Sequence, residues 1–347
     1  MLWQNEFMRR LVVMGVLSSA LAASLVLASA ATPAFACGCG AIVMPPDTRA
    51  STADERVILS WDGSQESMEL SFDVSSASLA AGLIIPTPTP ATVEAGDART
   101  FDLIENLVTP EERYETDIWG LGYLMPEAEP APVTVLDRVK LGELEATSLA
   151  STDSAGLAAW LATNEFEISD KLTDALSSYV ELGWSFTAVR LTASAPLSGR
   201  LDPVRLTFAT DRLVYPMRLA QLDPGRRDVR VYVFDSQRAA LTQASAPTRE
   251  LDADVSVLWA GEPRDARLSA LGSYLTVIDV HYEQPDEQAT SDIGVVQSSN
   301  QSRIKPEVVR YRMVTLLGFP VGTLVVLWVT LGFGLAAGHL IGRRRAR

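Results

Sequence analysis

Two cysteines stand one residue apart in Cys37-Gly38-Cys39-Gly40, and the chain holds no others. Thiols so placed have three outlets in an oxidising compartment. They can close a tight ring disulfide, for which Gly38 is the residue most able to supply the turn, they can pair with another chain, or Cys37 can take a lipid. Imidazole chemistry is scarce. Of two histidines, His339 lies in a long apolar stretch and His281 in a strand-like run beside Tyr282. A multi-histidine zinc site is therefore out of reach, and a Ser-His-Asp triad would have to use His281, which reads as a solvent-facing or hydrogen-bonded strand residue. Ser302-Arg303-Ile304-Lys305 has the Ser-x-x-Lys spacing, but it sits in a polar stretch rather than at a buried helix start and reads as chance. No Gly-x-Ser-x-Gly elbow, Walker-type loop, dinucleotide glycine pattern or His-Glu-x-x-His occurs.

Carboxylates remain. Ten acids lie between Glu94 and Glu129 against Arg99 and Arg113, a net of −8, while nine arginines face five aspartates between Arg200 and Arg249, a net of +4. Two solvated faces that partly neutralise each other across the fold account for this pattern, with a weak calcium site or a partner-steering dipole as alternatives. A carboxylate pair of the glycosidase kind is chemically available, but nothing in the spacing selects its two members. No catalytic residue, metal ligand or cofactor is assigned.

The ends of the chain place it. Arg9 and Arg10, the uncharged run Leu11–Ala31, Pro33 and Ala34-Phe35-Ala36 form an export signal with cleavage after Ala36; an uncleaved anchor, twin-arginine export and lipidation at Cys37 are the weaker alternatives. Met313–Ile341 holds no Asp, Glu, Lys or Arg over 29 residues, a helix of about 43 Å against a hydrocarbon core of about 30 Å. Four arginines follow it in Arg343–Arg347, which puts the C-terminus in the cytoplasm and Cys37–Arg312 outside. That middle segment carries 23 cationic against 42 acidic residues, a net of −19. Such a surface repels nucleic acid and anionic headgroups, which makes DNA binding and a polybasic peripheral membrane mode poor hypotheses. The span has small residues at intervals of four, Thr330, Gly334, Gly338 and Gly342, a stripe suited to a partner helix or a second copy.

Between these ends the apolar periodicity predicts an α+β fold with a largely antiparallel sheet and a short helical hairpin. Val57–Trp61 and Ser67–Val74 flank the turn Asp62-Gly63 as a hairpin, and Ala80–Ile85 is a third strand, left by the run Pro86–Pro90. Asp97–Val108 has helical spacing, and Val133–Val139 with Glu143–Leu149 reads as a strand pair. Ser151–Asp153 cap a helix carrying Leu157, Trp160 and Leu161. Ser169 caps a second, carrying Leu172, Leu176, Tyr179 and Val180 and ended by Gly183. Strands follow at 184–192, 204–209, 213–219, 229–234, 255–259 and 274–282. The organisation is a signal peptide at 1–36, an extracytoplasmic domain at 37–282, a polar juxtamembrane stalk at 283–312, a transmembrane helix at 313–341 and a basic tail at 342–347.

Cys37-Gly38-Cys39-Gly40, Leu83-Ile84-Ile85-Pro86-Thr87-Pro88, Gly183-Trp184-Ser185-Phe186 and the stretches Asp202–Leu206 and Leu213–Met217 resemble the uncharacterised bacterial family catalogued as domain of unknown function twenty-three thirty. The resemblance covers Cys37 to about Leu219. It implies an exported, often membrane-anchored protein and carries no reaction, substrate or catalytic residue with it. The function expected is a membrane-anchored extracytoplasmic binding or interaction module; the alternative is a cell-envelope hydrolase using paired carboxylates.

Overall fold

The computed structural model describes residues 35–119, 121, 138–139, 145–149, 163, 169–223 and 225–345. In chain order the strands β1 (Phe35–Cys37), β2 (Gly40–Val43), β3 (Ala50–Trp61), β4 (Gln65–Ser76), β5 (Ala80–Thr87) and β6 (Thr92–Ala95) lead to helix α1 (Ala98–Val108). Then come β7 (Glu111–Asp117), β8 (Arg138–Val139), β9 (Glu145–Leu149) and helix α2 (Asp170–Glu181). Strands β10 (Ser185–Thr192), β11 (Ser198–Leu201), β12 (Val204–Ala209) and β13 (Val214–Tyr215) precede a 3-10 turn, Arg218–Leu222. The remainder is β14 (Arg227–Asp235), β15 (Ala239–Gln243), β16 (Asp254–Gly261), α3 (Ala266–Ser269), β17 (Tyr274–Tyr282), α4 (Pro285–Gln288), β18 (Ile293–Gln297), β19 (Glu307–Met313), β20 (Thr315–Leu316), β21 (Phe319–Pro320) and α5 (Val321–Arg345). The fold is α+β, built on mostly antiparallel and mixed sheets with a few helices.

Alternation along the strands sorts side chains into layers. A five-stranded sheet (β1-β2-β5-β10-β9) and a nine-stranded sheet (β16-β17-β14-β3-β4-β11-β8, with β12 and β6 alongside β4) face each other. Between them Ile42, Leu83, Ile85 and Val189 from the first meet Val57, Leu59, Phe72 and Val231 from the second. The outer face of the small sheet, with Val43, Ile84, Phe186 and Ala188, is covered by Leu172, Leu176 and Tyr179 of α2. The outer face of the large sheet, with Ile58, Tyr232, Phe234 and Val277, is covered by Phe101, Ile104 and Val108 of α1 and Leu268 of α3. The central strands of both sheets are therefore buried on both faces, which is why Leu83-Ile84-Ile85 is apolar without a break. Burial of each large α2 side chain contributes on the order of 1.5–3 kcal/mol.

Local signals hold. The Asp62 side chain accepts the N–H groups of Ser64 (2.9 Å) and Gln65 (2.8 Å) in the β3–β4 turn. Ser169 Oγ accepts the Leu172 N–H at the start of α2, and Gly183 takes φ +72° just beyond its end. The proline run does not leave the sheet at its start: Pro86 and Thr87 continue β5 opposite Phe186 and Ser185 of β10, and because the pairing with β2 ends at Ile84 the missing proline donor lies on an unpaired edge.

Several expectations are corrected. Of the segments 133–139 and 143–149, the described parts, β8 and β9, do not pair with each other; they join β11 in the large sheet and β10 in the small one. The run 213–219 is a two-residue strand followed by the 3-10 turn, because Met217 and Arg218 are held by a side-chain carboxylate rather than by a ladder. The stalk at 283–312 carries structure of its own. Strand β18 lies between β13 and β15, with Ile293 wholly buried, and β19 runs parallel to β7. The apolar stretch at 313–341 is helical only from Val321; Met313 ends β19, and Thr315–Pro320 forms a hairpin. Of the helical hairpin, the element carrying Leu157, Trp160 and Leu161 lies outside the described residues, as do residues 1–34 of the signal. Phe35 and Ala36 pair with Ile42 and Ala41, so a chain cut after Ala36 would retain only the Cys37–Gly40 pairing of β1.

Among the described residues no helix is long and apolar enough to cross a membrane.

Candidate functional site

The cysteine motif forms a hairpin turn seated on a buried carboxylate. Cys37 pairs with Gly40, which leaves Gly38-Cys39 as the turn. In β3 the register with β4 slips between Ala53 and Arg56, with Asp54 at φ +40°, while the pairing with β14 runs unbroken from Glu55, and strand alternation puts Glu55 on the core face with Val57 and Leu59. A carboxylate there, 2% exposed, needs donors to offset its lost hydration. It receives three: the Gly38 N–H at 2.6 Å, the Cys39 N–H at 3.0 Å and the Tyr215 hydroxyl. Of the two glycines of the motif, Gly40 faces rigid backbone, whereas Gly38 faces side-chain ends that would have to shift. A Cβ on Gly38 would come within 2.9 Å of Glu55 Oε2 and of Met217 Sδ and Cε, and one on Gly40 within 2.3 Å of the Ile84 carbonyl oxygen. Cys39 is buried beside this carboxylate; the Cys37 side chain lies outside the described residues.

A second buried carboxylate secures the other side of Met217. Asp292, 1% exposed, accepts the Tyr179 hydroxyl (2.6 Å) and the Met217 N–H (2.9 Å) on Oδ1, with the Arg218 N–H at 3.4 Å. Arg218 Nε stands 3.1 Å from Oδ2, and its guanidinium lies 5.9 Å from the centroid of the Tyr179 ring. Burial first, and the Asp292 charge second, raise the Tyr179 phenol well above its ordinary range, so it acts as a donor. Glu55 and Asp292 thus clamp Tyr215–Arg218 from two sides, and the Met217 side chain lies over the turn. Carboxylate lone pairs spent in this way position backbone rather than abstract protons.

The outer face of the large sheet is ionic where α1 does not cover it. Asp73 meets Arg200 (3.2 Å) and Arg56 (3.9 Å), Arg205 chelates Glu69 (2.7 Å), and Arg230 bridges Asp279 (2.6 Å) and Glu105 (3.4 Å). The expected cancellation between the acid-rich and arginine-rich stretches occurs at Glu105–Arg230; Asp97 and Glu112 instead find Arg267 and Arg310, outside the arginine-rich stretch. His281 is a hydrogen-bonded strand residue, its Nδ1 2.7 Å from Asp228 directly opposite on β14. Asp73 is raised by burial, opposed by Arg56. Glu66 is raised further by burial, against the Val214 N–H at 2.9 Å. By strand alternation these two acids lie on opposite faces of β4, and neither lines the cavity of about 350 Å³ between Thr109, Glu111, Trp259, Arg264, Arg303 and Lys305. They therefore do not form a carboxylate pair. Among the described residues no cluster of His, Cys, Asp and Glu is arranged to hold a metal ion.

Glu66 sets a pH dependence. Its native pKa lies above the unfolded value of about 4.5, so its contribution to stability is complete below that pH and is lost as pH rises through the native pKa. Glu66→Gln should therefore be more stable than the parent at neutral pH and close to it at pH 4. Denaturant titrations at the two pH values check this, and a parent–variant difference that does not change with pH would refute it.

At the C-terminal end Thr330 Oγ1 bonds back to the carbonyls of Val326 (2.9 Å) and Leu327 (3.0 Å), and the surroundings of Gly334 are open. Gly338 and Gly342 lie on α5 outside the residues whose surroundings are described. Sequence reasoning missed Glu55 and Asp292. The first was left out of a strand begun at Val57, and the second was assigned to the stalk although the strand-like Ile293-Gly294-Val295-Val296 follows it.

These features define a layered mixed-β protein whose paired cysteine motif is seated on a buried carboxylate. The chain belongs to the family described as uncharacterized protein conserved in bacteria (DUF2330), whose model matches residues 33–295 and so takes in most of β18. No curated protein matches the chain. Among solved structures, the crystal structure of baculovirus P35 is similar at 8% identity and a TM-score of 0.37, over 76% of this chain and 98% of that one. A mutated baculovirus P35 after caspase cleavage gives 9% identity and 0.35, over 72% and 100%. Likeness at this level carries no inference about fold or activity.

Proposed function

We propose that this chain is an exported binding or interaction module, its α+β domain held outside the cytoplasm by α5, with the arginine tail inside. The observation that carries this reading is the all-round apolar surface of α5. Val325, Val326, Leu327, Trp328, Val329, Leu331, Phe333 and Leu335 are each at least half exposed. A helix apolar on every side belongs in a protein core or in lipid, and the sequence stays uncharged through Gly342. The ligand is extracytoplasmic. The membrane is the first partner, and the stripe Thr330, Gly334, Gly338 and Gly342 offers a helix or a second copy as another. Protease added to intact spheroplasts should remove the domain and spare a C-terminal fragment. A protected, full-length chain would overturn the topology.

A further inference from the structure

We infer that the domain rests on the lipid surface through one face: the β20–β21 hairpin together with Ile118, Trp119 and Leu121. This rests on the reading of α5 as the anchor and adds which surface meets the bilayer. Leu316, Leu317 and Phe319 are 58%, 87% and 60% exposed, and Ile118, Trp119 and Leu121 are 46%, 52% and 60% exposed. The backbone gathers the two segments at the first turn of α5. Val314 N–H donates to the Asp117 carbonyl (3.0 Å), Gly322 N–H donates to the Ile118 carbonyl (2.7 Å), and a Cβ on Gly322 would fall 2.3 Å from the Trp119 ring.

The hairpin tip is the informative element. Leu317 and Gly318 take φ +55° and +83°, the left-handed pair of a type I′ turn, in which Asn or Asp is the ordinary first residue. Here a leucine adopts a conformation that disfavours it and is also the most exposed large apolar side chain among the described residues. In water both features are unfavourable and nothing among the described residues offsets them; in the interfacial layer the leucine is buried. Trp119 against the start of an apolar helix fits the same zone, where an indole sits with its ring among acyl chains and its N–H among headgroups. Arg310 and Arg312 stand on the domain side in β19, engaged with Glu112 (3.4 Å) and the Tyr114 ring (5.4 Å). The contact is thus apolar rather than polybasic, which suits a domain of net negative charge.

The test uses the full chain reconstituted in phosphatidylcholine vesicles, with Cys37 and Cys39 replaced by serine. An environment-sensitive nitrobenzoxadiazole label is attached at Leu317→Cys or, as a control on the far side of β19, at Ser302→Cys. The label at position 317 should emit at shorter wavelength and be quenched several-fold more strongly by shallow doxyl lipid than the label at 302. Equal, water-like signals from a chain that co-floats with vesicles would overturn this inference and leave the anchor standing. A chain that does not co-float would overturn the anchor itself. Leu317→Asn, which suits the turn, should leave co-flotation intact and raise protease cleavage at the hairpin; unchanged cleavage would also count against the contact.

Discussion

Glu55→Ala is expected to destabilise the intact chain by about 3–5 kcal/mol, because it orphans the Gly38 and Cys39 N–H groups and the Tyr215 hydroxyl together. Each unsatisfied buried donor costs roughly 1–3 kcal/mol, and water entering the vacated volume recovers only part of this. For a domain of this size the loss corresponds to roughly 6–12 °C in Tm. Glu55→Gln keeps one carbonyl acceptor but turns an amide donor towards the remaining N–H, so its loss should fall between those of the parent and the alanine variant. Gly40→Ala attacks the same hairpin from the other side, since its Cβ would meet a backbone carbonyl that cannot rotate away; at least 1–3 kcal/mol is expected. Calorimetry reads all three. A Glu55→Ala chain within about 0.5 kcal/mol of the parent, a change typical of an unremarkable surface site, would show that the carboxylate does not hold the turn.

Asp292→Ala should cost a comparable amount, about 3–4 kcal/mol, by leaving the Tyr179 hydroxyl and the Met217 N–H buried without an acceptor. The Arg218 charge contributes less than a sealed ion pair would. Its side chain is 22% exposed, and water takes up part of the loss. Arg218→Ala should accordingly cost only about 1 kcal/mol, and Tyr179→Phe about 1–2 kcal/mol. The Tyr179→Phe and Asp292→Ala effects should be strongly non-additive, because one hydrogen bond is counted in both. Additive losses in chemical denaturation would mean that Asp292 acts through something other than the Tyr179 contact.

Both carboxylates belong to the part of the molecule that local pattern conceals. Residue by residue, Glu55 looks like an acid at the ragged start of a strand and Asp292 like one acid among many in a polar stretch. Glu55 shares the core face with Val57 and Leu59 only because β3, paired with β14 from Glu55 onward, begins before Val57, and only the insertion of β18 between β13 and β15 brings Asp292 to Tyr179, across 113 positions of chain. Pairings of that range are selected by which buried donors and apolar faces meet, a property of the closed sheets and of neither segment alone. For the same reason β8 and β9, adjacent in sequence, enter different sheets.

What the sequence determined by itself is local or compositional. The Asp62-Gly63 turn, the Ser169 cap and the Gly183 stop are each satisfied within a few residues, and the uncharged C-terminal run and the net −19 of the middle segment need no fold to be counted. The cysteine motif was visible, but its reason was not. The tertiary structure decided that Gly40 has no room beside the Ile84 carbonyl and that Gly38 lies against the Met217 and Glu55 side chains. It also decided that the helix begins at Val321, after a strand paired with β7 and a hairpin with Leu317 at its tip. Hydropathy measures only transfer from water and is blind to pairing, so it merged strand, hairpin and helix into one apolar run; hydrogen bonds to Asp117 and Ile118, about 200 residues upstream, separate them.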